Sequence, residues 1–337
     1  MGEIDLYPIF QVNTKIKLTQ EGINIPTEVL PRETITGAIQ SARTRHERCR
    51  VTYGDTLFRG AHGTIQRIER RPSISISPLC VKKPIPREFS LCSEAIVQWL
   101  AANALEVAGI QGAVPRVYDL FQYAGETRFT MDYIEGTSSV QAILDSEDPE
   151  RTFTHILAQT ALILGYLQET IHLDHRDLKA DNLWIRSTPV HYRVRLGSKV
   201  WTLTSPFQVV LLDFGFACLG GPDGNAVINL SDGVLPAIDP CPKEGRDLFQ
   251  LLVSLWSLPA IRGKMSPTFQ ALLERLLSYK QSAYDSLVQM TERSQWSYLV
   301  VSDAKFKHPP LGCQALLEEL LASPQSKGFP SIQLSVE

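Results

Sequence analysis

The stretch His172-Leu-Asp-His-Arg-Asp-Leu-Lys-Ala-Asp-Asn-Leu-Trp-Ile185 decides how this chain is read. It is flanked by two apolar patterns. Upstream, Phe153, Ile156, Leu157, Ala161, Leu164 and Leu167 recur at steps of three and four and predict a buried helix. Downstream, residues 183–186 predict a short strand. Asp213, thirty-one residues after Asn182, stands in Leu211-Leu212-Asp213-Phe214-Gly215, an apolar strand running directly into an acidic turn. Either segment alone is weak evidence. Both together, in this order and each in a strand-and-loop setting, are specific.

Within the first stretch, His175-Arg176-Asp177-Leu178-Lys179-x-x-Asn182 matches the pattern H-R-D-L-x-x-x-N position for position, and Asp213-Phe214-Gly215 supplies the D-F-G that accompanies it. The chain therefore resembles the eukaryotic-type protein kinase superfamily over about residues 51–323. The resemblance implies an α+β, bilobal protein-kinase-like fold and an ATP- and Mg²⁺-dependent phosphoryl transfer. Such a reaction asks for an aligned nucleophile and for neutralisation of the charge that spreads over the γ-phosphoryl. By resemblance Asp177 accepts or orients the substrate's hydroxyl proton, and Lys179 lies near the transferred group. Asn182 and Asp213 offer the hard oxygens that Mg²⁺ prefers.

The rest of the constellation is expected upstream. Leu79-Cys80-Val81-Lys82 stands where the family has V-A-I-K, which makes Lys82 the candidate grip on the α and β phosphates. Lys83 is expected on the opposite face of the strand. Glu94 is the expected partner of Lys82, with Glu88 as the alternative. Gly60-Ala61-His62-Gly63-Thr64-Ile65 keeps two glycines and the aliphatic residue of the phosphate loop, so Gly60, Gly63 and Ile65 are candidate nucleotide contacts, while Phe58 takes the place of the first glycine. Residues 129–136 look like the family hinge: Met131 would be the gatekeeper, and backbone groups of Asp132 and Ile134 would meet the adenine. Trp184 is expected either as an apolar floor for the purine or in the helical core. Cys80 is expected to face the adenine, as a small buried hydrophobe or as a target for a nucleotide-site electrophile.

Outward from these motifs, residues 51–57, 64–68 and 74–81 read as strands divided by Gly60, Gly63 and Pro72. A helix is expected over residues 90–105, followed by strands at 116–123 and 127–133. Residues 191–204 predict a hairpin turning at Gly197-Ser198, and Leu248, Leu251, Leu252, Leu255 and Trp256 predict a second buried helix. Residues 309–322 read as a final amphipathic helix. The expected domains are an N-terminal extension of unknown role (1–50), a kinase domain (N-lobe 51–134, C-lobe 135–323) and a polar C-terminal tail (324–337). The extension carries a possible helix over residues 32–48 and a basic cluster, Arg43, Arg45, Arg48 and Arg50, read as a solvated helix face.

The 337 residues allow roughly two compact units on the prior of about 150 residues per domain. Hydrophobic residues make up 44% and charged residues 20%, which excludes a chain disordered throughout. A formal charge of −3 is too small to steer a polyanion, so no nucleic-acid partner is expected. The longest uncharged stretch, residues 152–168, is seventeen residues interrupted by polar side chains, short of the roughly 18 to 20 apolar residues a membrane helix needs. No secretory signal opens the sequence. Six scattered cysteines with no C-x-x-C pair argue against a zinc site and a disulfide framework. An intracellular monomer of the cytoplasm or nucleus, acting on a protein substrate, is expected.

The chain also departs from the family. No A-P-E follows the D-F-G; Asp247 stands where the family's D-x-W-S-x-G aspartate bonds the catalytic-loop backbone; and between Gly215 and Asp247 the one hydroxyl residue is Ser231. The hairpin insert and the short segment look similar to haspin-like kinases and to kinases of large DNA viruses. Serine/threonine protein phosphorylation is the leading expectation, with Lys179 in D-L-K favouring Ser/Thr over Tyr by resemblance. The alternatives are a small-molecule phosphotransferase of the aminoglycoside or choline kinase type and a pseudokinase acting as a binding module.

Overall fold

The computed structural model of the protein describes residues 3–6, 10–11, 17–19, 22–24, 49–60, 63–71, 73, 75, 77–85, 91–123, 125–220, 226–231, 241–277, 311–322 and 330–337. The chain divides into two compact units. The first comprises Met1–Val107 and Val114–Glu135, the second Ala108–Ala113 and Gly136–Glu337. One is mainly strand and the other mainly helix with embedded strands, the α+β division the sequence predicts.

The first unit is a seven-stranded antiparallel sheet around one long helix. The central strands β5 (Cys49–Arg59), β6 (Gly63–Arg71), β8 (Val117–Tyr123) and β9 (Glu126–Asp132) follow the predicted runs closely, whereas β7 (Leu79–Pro84) starts five residues later and ends three later than the run 74–81 that the β-branched residues predicted. Their order is β5-β6-β7-β9-β8, and the extension flanks it: β1 (Glu3–Leu6) pairs with β5 and β2 (Phe10–Gln11) with β8, while β3 (Lys17–Thr19) and β4 (Gly22–Asn24) form a separate two-stranded hairpin. The extension thus covers both edges that the other five strands would leave unpaired, which blunts them against association with another chain. The expected helix over 32–48 and its arginines Arg43, Arg45 and Arg48 fall outside the described residues. Alternation on β7 sends Leu79 and Val81 into a core with Val51, Ile68, Tyr118 and Phe121, and so turns Cys80 and Lys82 to the other face. The helix α1 (Cys92–Val107) carries Glu94 in its first turn.

The second unit is organised on α3 (Pro149–Ile171). Asp148 caps its start by accepting from the Arg151 N–H, Pro149 occupies the first turn, and His172 closes it in the left-handed region at φ 50°. Its apolar residues from Phe153 to Leu167 are fully buried, and Phe153 meets Phe269 edge to face with centroids 5.7 Å apart. The remaining helices are α2 (Ser139–Leu144), α4 (Arg246–Trp256), α5 (Pro259–Arg262), α6 (Pro267–Leu277) and α7 (Cys313–Leu321).

Three small sheets carry the chemistry-bearing loops: β10 (Thr137–Ser138) with β12 (Leu183–Arg186) and β15 (Gln208–Leu211); β11 (Leu173–Asp174) with β16 (Cys218–Gly220) and β17 (Ala226–Asn229); and the hairpin β13 (Val190–Leu196) and β14 (Lys199–Ser205) with β18 (Gln333–Val336). The last of these corrects the reading of the C-terminus as a plain tail. Residues 333–336 form an edge strand on β14, and Arg193 bonds the Glu337 carboxylate at 2.8 Å. Only two apolar residues in four had hidden an alternating strand, Gln333 and Ser335 outward, Leu334 and Val336 half-buried.

The cysteine expectation is also corrected. Cys218 and Cys241, 23 residues apart, form a disulfide with their Cα atoms 6.3 Å apart. Spacing in sequence gave no hint of it, because the partners meet only through the fold. Among the described residues no helix is long and apolar enough to cross a membrane.

Candidate active site

The loop between β11 and β12 is held in place before any substrate is considered. Asp247, fully buried at the start of α4, accepts from the backbone N–H groups of His175 (2.7 Å) and Arg176 (2.8 Å). One turn on, Gln250 donates to the Arg176 carbonyl at 3.1 Å, and a further turn on Ser254 accepts from the Ala180 N–H at 2.9 Å. These three side chains stand at steps of three and four on one face of an otherwise apolar helix, and they staple the loop along its length. Asp247 was singled out from sequence. Gln250 and Ser254 were not, although a polar stripe in an apolar helix is a legible signal.

His175 is buried within the loop. Its Nε2 lies 2.9 Å from the Leu212 carbonyl, and its Nδ1 faces the Asp177 N–H at 3.4 Å. A carbonyl can only accept, so Nε2 carries the proton and Nδ1 is the acceptor. Burial pushes the imidazole pKa down and keeps this neutral form. The ring also packs on Phe214 at 4.9 Å, tying the D-F-G turn to the loop.

Asp177 is 4% exposed. Lys179 Nζ donates to both of its carboxylate oxygens, at 2.9 and 3.2 Å, and Asn182 Nδ2 donates to Oδ2 at 3.0 Å and to the Asp177 carbonyl at 2.8 Å. With its amide N–H₂ so used, Asn182 presents its amide oxygen as a donor for a cation. The Asn182 carbonyl accepts from the Leu212 N–H at 2.9 Å, which brings Asp213 beside it. Asp213 sits at φ 62°, an unusual conformation for a non-glycine residue, and its exposed carboxylate accepts from the Gly215 N–H at 3.3 Å. An amide oxygen and a carboxylate on adjacent backbone fit a hard divalent cation such as Mg²⁺.

Asp174 was missed by sequence reading. It is fully buried and accepts from Gln168 Nε2 (2.8 Å) and the Lys243 N–H (2.6 Å), with Arg246 at 4.0 Å. Burial, and then the nearby Asp247 charge, push its carboxyl up to about 7.

Trp184 lies half-buried on β12, facing away from the buried Leu183 and Ile185. Its indole leaves no room for a side chain at Gly136, where a Cβ would come within 3.0 Å of the ring and 2.2 Å of the Ile185 carbonyl. The helical-core reading of Trp184 is thereby corrected: the residues directed into the core from this strand are its neighbours.

The first unit holds the other half of the predicted set. Lys82 Nζ bonds Glu94 Oε1 at 2.5 Å, with both side chains more than nine-tenths buried. Among the described residues Glu94 is the partner of Lys82; the alternative, Glu88, lies outside them. Lys83 turns away, donating to Gln66 Oε1 at 2.8 Å. Gly63 approaches Lys82 so closely that a Cβ there would stand 2.9 Å from the lysine Cε. The Gly60 N–H bonds the Gly63 carbonyl at 2.9 Å, closing the β5–β6 turn, and Ile65 pairs with both Phe58 and Lys82. Phe58 is 61% exposed at the end of β5.

Met131 pairs with Cys80 across β9 and β7, and its sulfur accepts from Gln98 Nε2 at 3.3 Å. The Asp132 N–H donates to the Arg116 carbonyl at 3.1 Å. Ile134 is buried. Cys80 donates to the Asp132 carbonyl at 3.5 Å, and burial pushes its thiol up to about 12. A thiol held protonated by burial favours the small buried hydrophobe over the electrophile target.

No family model and no curated protein sequence matches this chain. Among solved structures it is similar to kinase domains. One is the kinase domain of a Plasmodium protein, with 16% identity and a TM-score of 0.35 over 50% of this chain. That match spans about half of the Plasmodium domain, 51% of its length. Another is the autoinhibited serine kinase domain of the giant muscle protein titin, with 14% identity and a TM-score of 0.42 over 85% of this chain and 96% of the titin domain.

Proposed function

We propose that this chain transfers the γ-phosphoryl group of ATP to serine or threonine hydroxyls of a protein substrate. The observation that carries the reading is the set of bonds on Asp177: Lys179 and Asn182 converge on its carboxylate, and the Asn182 carbonyl ties Asp213 alongside. In this reading Asp177 takes the proton of the attacking hydroxyl as the new O–P bond forms and the bond to the leaving ADP oxygen breaks. Lys179 keeps the carboxylate oriented and places a positive charge beside the transferred group. Asn182, through its amide oxygen, and Asp213 would hold Mg²⁺, which when bound neutralises charge on the phosphate oxygens. Lys82, fixed by Glu94, supplies a cation for the α and β phosphates, and Gly60 and Gly63 allow backbone to approach them.

The test is label transfer from γ-labelled Mg-ATP to generic basic proteins and to aminoglycosides side by side. Label on serine or threonine of protein supports the reading. Label on the small molecules alone replaces it with a small-molecule phosphotransferase, and ATP binding without transfer replaces it with a pseudokinase.

A further inference from the structure

The segment after Asp213 is restrained at both ends on the same short strand. At its start, β16 pairs with β11, Cys218 opposite Asp174 and Leu219 opposite Leu173, and the Gly220 N–H donates to the His172 carbonyl at 2.8 Å. At its end, the Lys243 N–H donates to Asp174 at 2.6 Å, and Arg246 lies 4.0 Å from the same carboxylate. β11 runs straight into His175 and Asp177. The Cys218–Cys241 disulfide joins the two ends, and the seating is close: a Cβ on Gly220 would stand 1.9 Å from the Cys241 carbonyl oxygen. Between the ends, Arg176 donates to Ser231 Oγ at 2.8 Å and to Asn229 Oδ1 at 2.9 Å. Ser231 is fully buried and is the one hydroxyl residue between Gly215 and Asp247, so neutral partners already occupy the arginine that an added phosphate there would seek.

We propose that the Cys218–Cys241 disulfide is a reducible clasp that sets the activity of this site: oxidised, it holds the segment after Asp213 on β11, and reduced, it releases the segment and phosphoryl transfer falls. The proposal rests on the phosphotransfer reading and adds its regulation. Cys218 lies five residues after Asp213, so freeing β16 loosens the backbone that orients the Asp213 carboxylate, and displacements of an ångström at such a group are costly in rate. The cysteines act as positioning residues. The reductant is a dithiol. Its thiolate attacks one sulfur, the S–S bond breaks, and the other cysteine leaves as a thiolate. The second thiol of the reductant then displaces the first cysteine. Two electrons and two protons pass to the protein, giving two cysteine thiols and one oxidised cyclic disulfide. Both cysteines are fully buried, so reduction waits on local opening and takes minutes to hours.

The experiment uses the full chain purified without reductant. Peptide mapping under non-reducing conditions is expected to show Cys218 linked to Cys241. Transfer from Mg-ATP is then compared for the oxidised parent, the dithiothreitol-reduced parent, the re-oxidised parent and the C218S/C241S double variant, together with the rate of tryptic cleavage after Lys243. Reduction and the double substitution are expected to lower kcat about tenfold or more with little change in KM for ATP, and to speed cleavage after Lys243; re-oxidation restores the parent. If the double variant does not fold, the reduced and re-oxidised parent carry the comparison. Absence of the cross-linked peptide, or equal kcat and equal cleavage in all forms, overturns the clasp. Loss of kcat on phosphatase treatment of the oxidised parent overturns it too, since the segment would then be set by phosphate. If the oxidised parent transfers phosphate to nothing, the functional reading has failed, and the mapping and cleavage rates still decide whether the clasp holds the segment.

Discussion

The loop between β11 and β12 and the segment after Asp213 lie side by side and are held by different means. The loop is fixed by hydrogen bonds from one face of α4, with Asp247, Gln250 and Ser254 engaging its backbone at His175, Arg176 and Ala180. The segment is fixed by a covalent bond between its ends and by two β pairings on β11 and β17. A hydrogen-bonded loop keeps its geometry in any redox environment, whereas a segment closed by a disulfide depends on its surroundings. On the proposed reading, the clasp would take the place of the A-P-E and the row of phosphorylatable hydroxyls that the sequence lacks.

The comparison can be broken first at the loop. Asp177→Asn retains size and hydrogen bonding but cannot take a proton, and is expected to lower kcat about 10³-fold while leaving ATP binding in place. Lys82→Met removes the cation that Glu94 positions and is expected to cost about 10²-fold in kcat/KM; a proton-transfer role for Lys82 would instead appear as a shifted pH profile in Lys82→Arg. Asp247→Ala leaves two backbone donors without their charged acceptor and is expected to cost about 3 kcal/mol in unfolding free energy, with kcat falling more than KM rises. A drop in stability with unchanged kcat would confine Asp247 to folding. Trp184→Ala is expected to weaken ATP affinity about threefold to tenfold, and unchanged affinity would remove the purine floor.

The smallest effect concerns pH and belongs to the junction of the two regions. Asp174, raised to about 7 from an ordinary 3.8, binds its proton more tightly in the folded chain. Its contribution to stability is therefore complete below about pH 3.8 and is lost as the pH rises through 7. Asp174→Asn, which does not titrate, is expected to flatten that decline in a series of Tm measurements. His155, pushed down to about 4 by burial, acts with the opposite sign, so the difference between parent and variant isolates Asp174. An identical pH slope in both would show that Asp174 does not carry the effect.

How much of this was legible in sequence follows from the range of the interactions. Strands β5, β6, β8 and β9, helices α3 and α4, and the hairpin were readable because their periodicities are local. So were Asp177, Asn182 and Asp213, because rigid spacing within one loop and one turn is written along the chain. The alternation on β7 also sorted Lys82 from Lys83. What was not legible joins residues far apart: Cys218 to Cys241, Asp174 to Lys243, β18 onto β14, and β1 and β2 onto the edges of the first sheet. Short polar strands such as β18 show too few apolar positions to declare themselves until the partner strand is seen. Gln250 and Ser254 form an intermediate case, visible as a stripe on α4 but without meaning until the loop is laid against it.

The most direct test of the central claim is transfer of labelled γ-phosphate from Mg-ATP, run on the oxidised parent and on Asp213→Ala with matched ATP-binding measurements. The account predicts serine or threonine labelling by the parent that falls about 10³-fold in the variant while both remain folded. Equal labelling by the two proteins, or none by a parent that binds Mg-ATP, would contradict it.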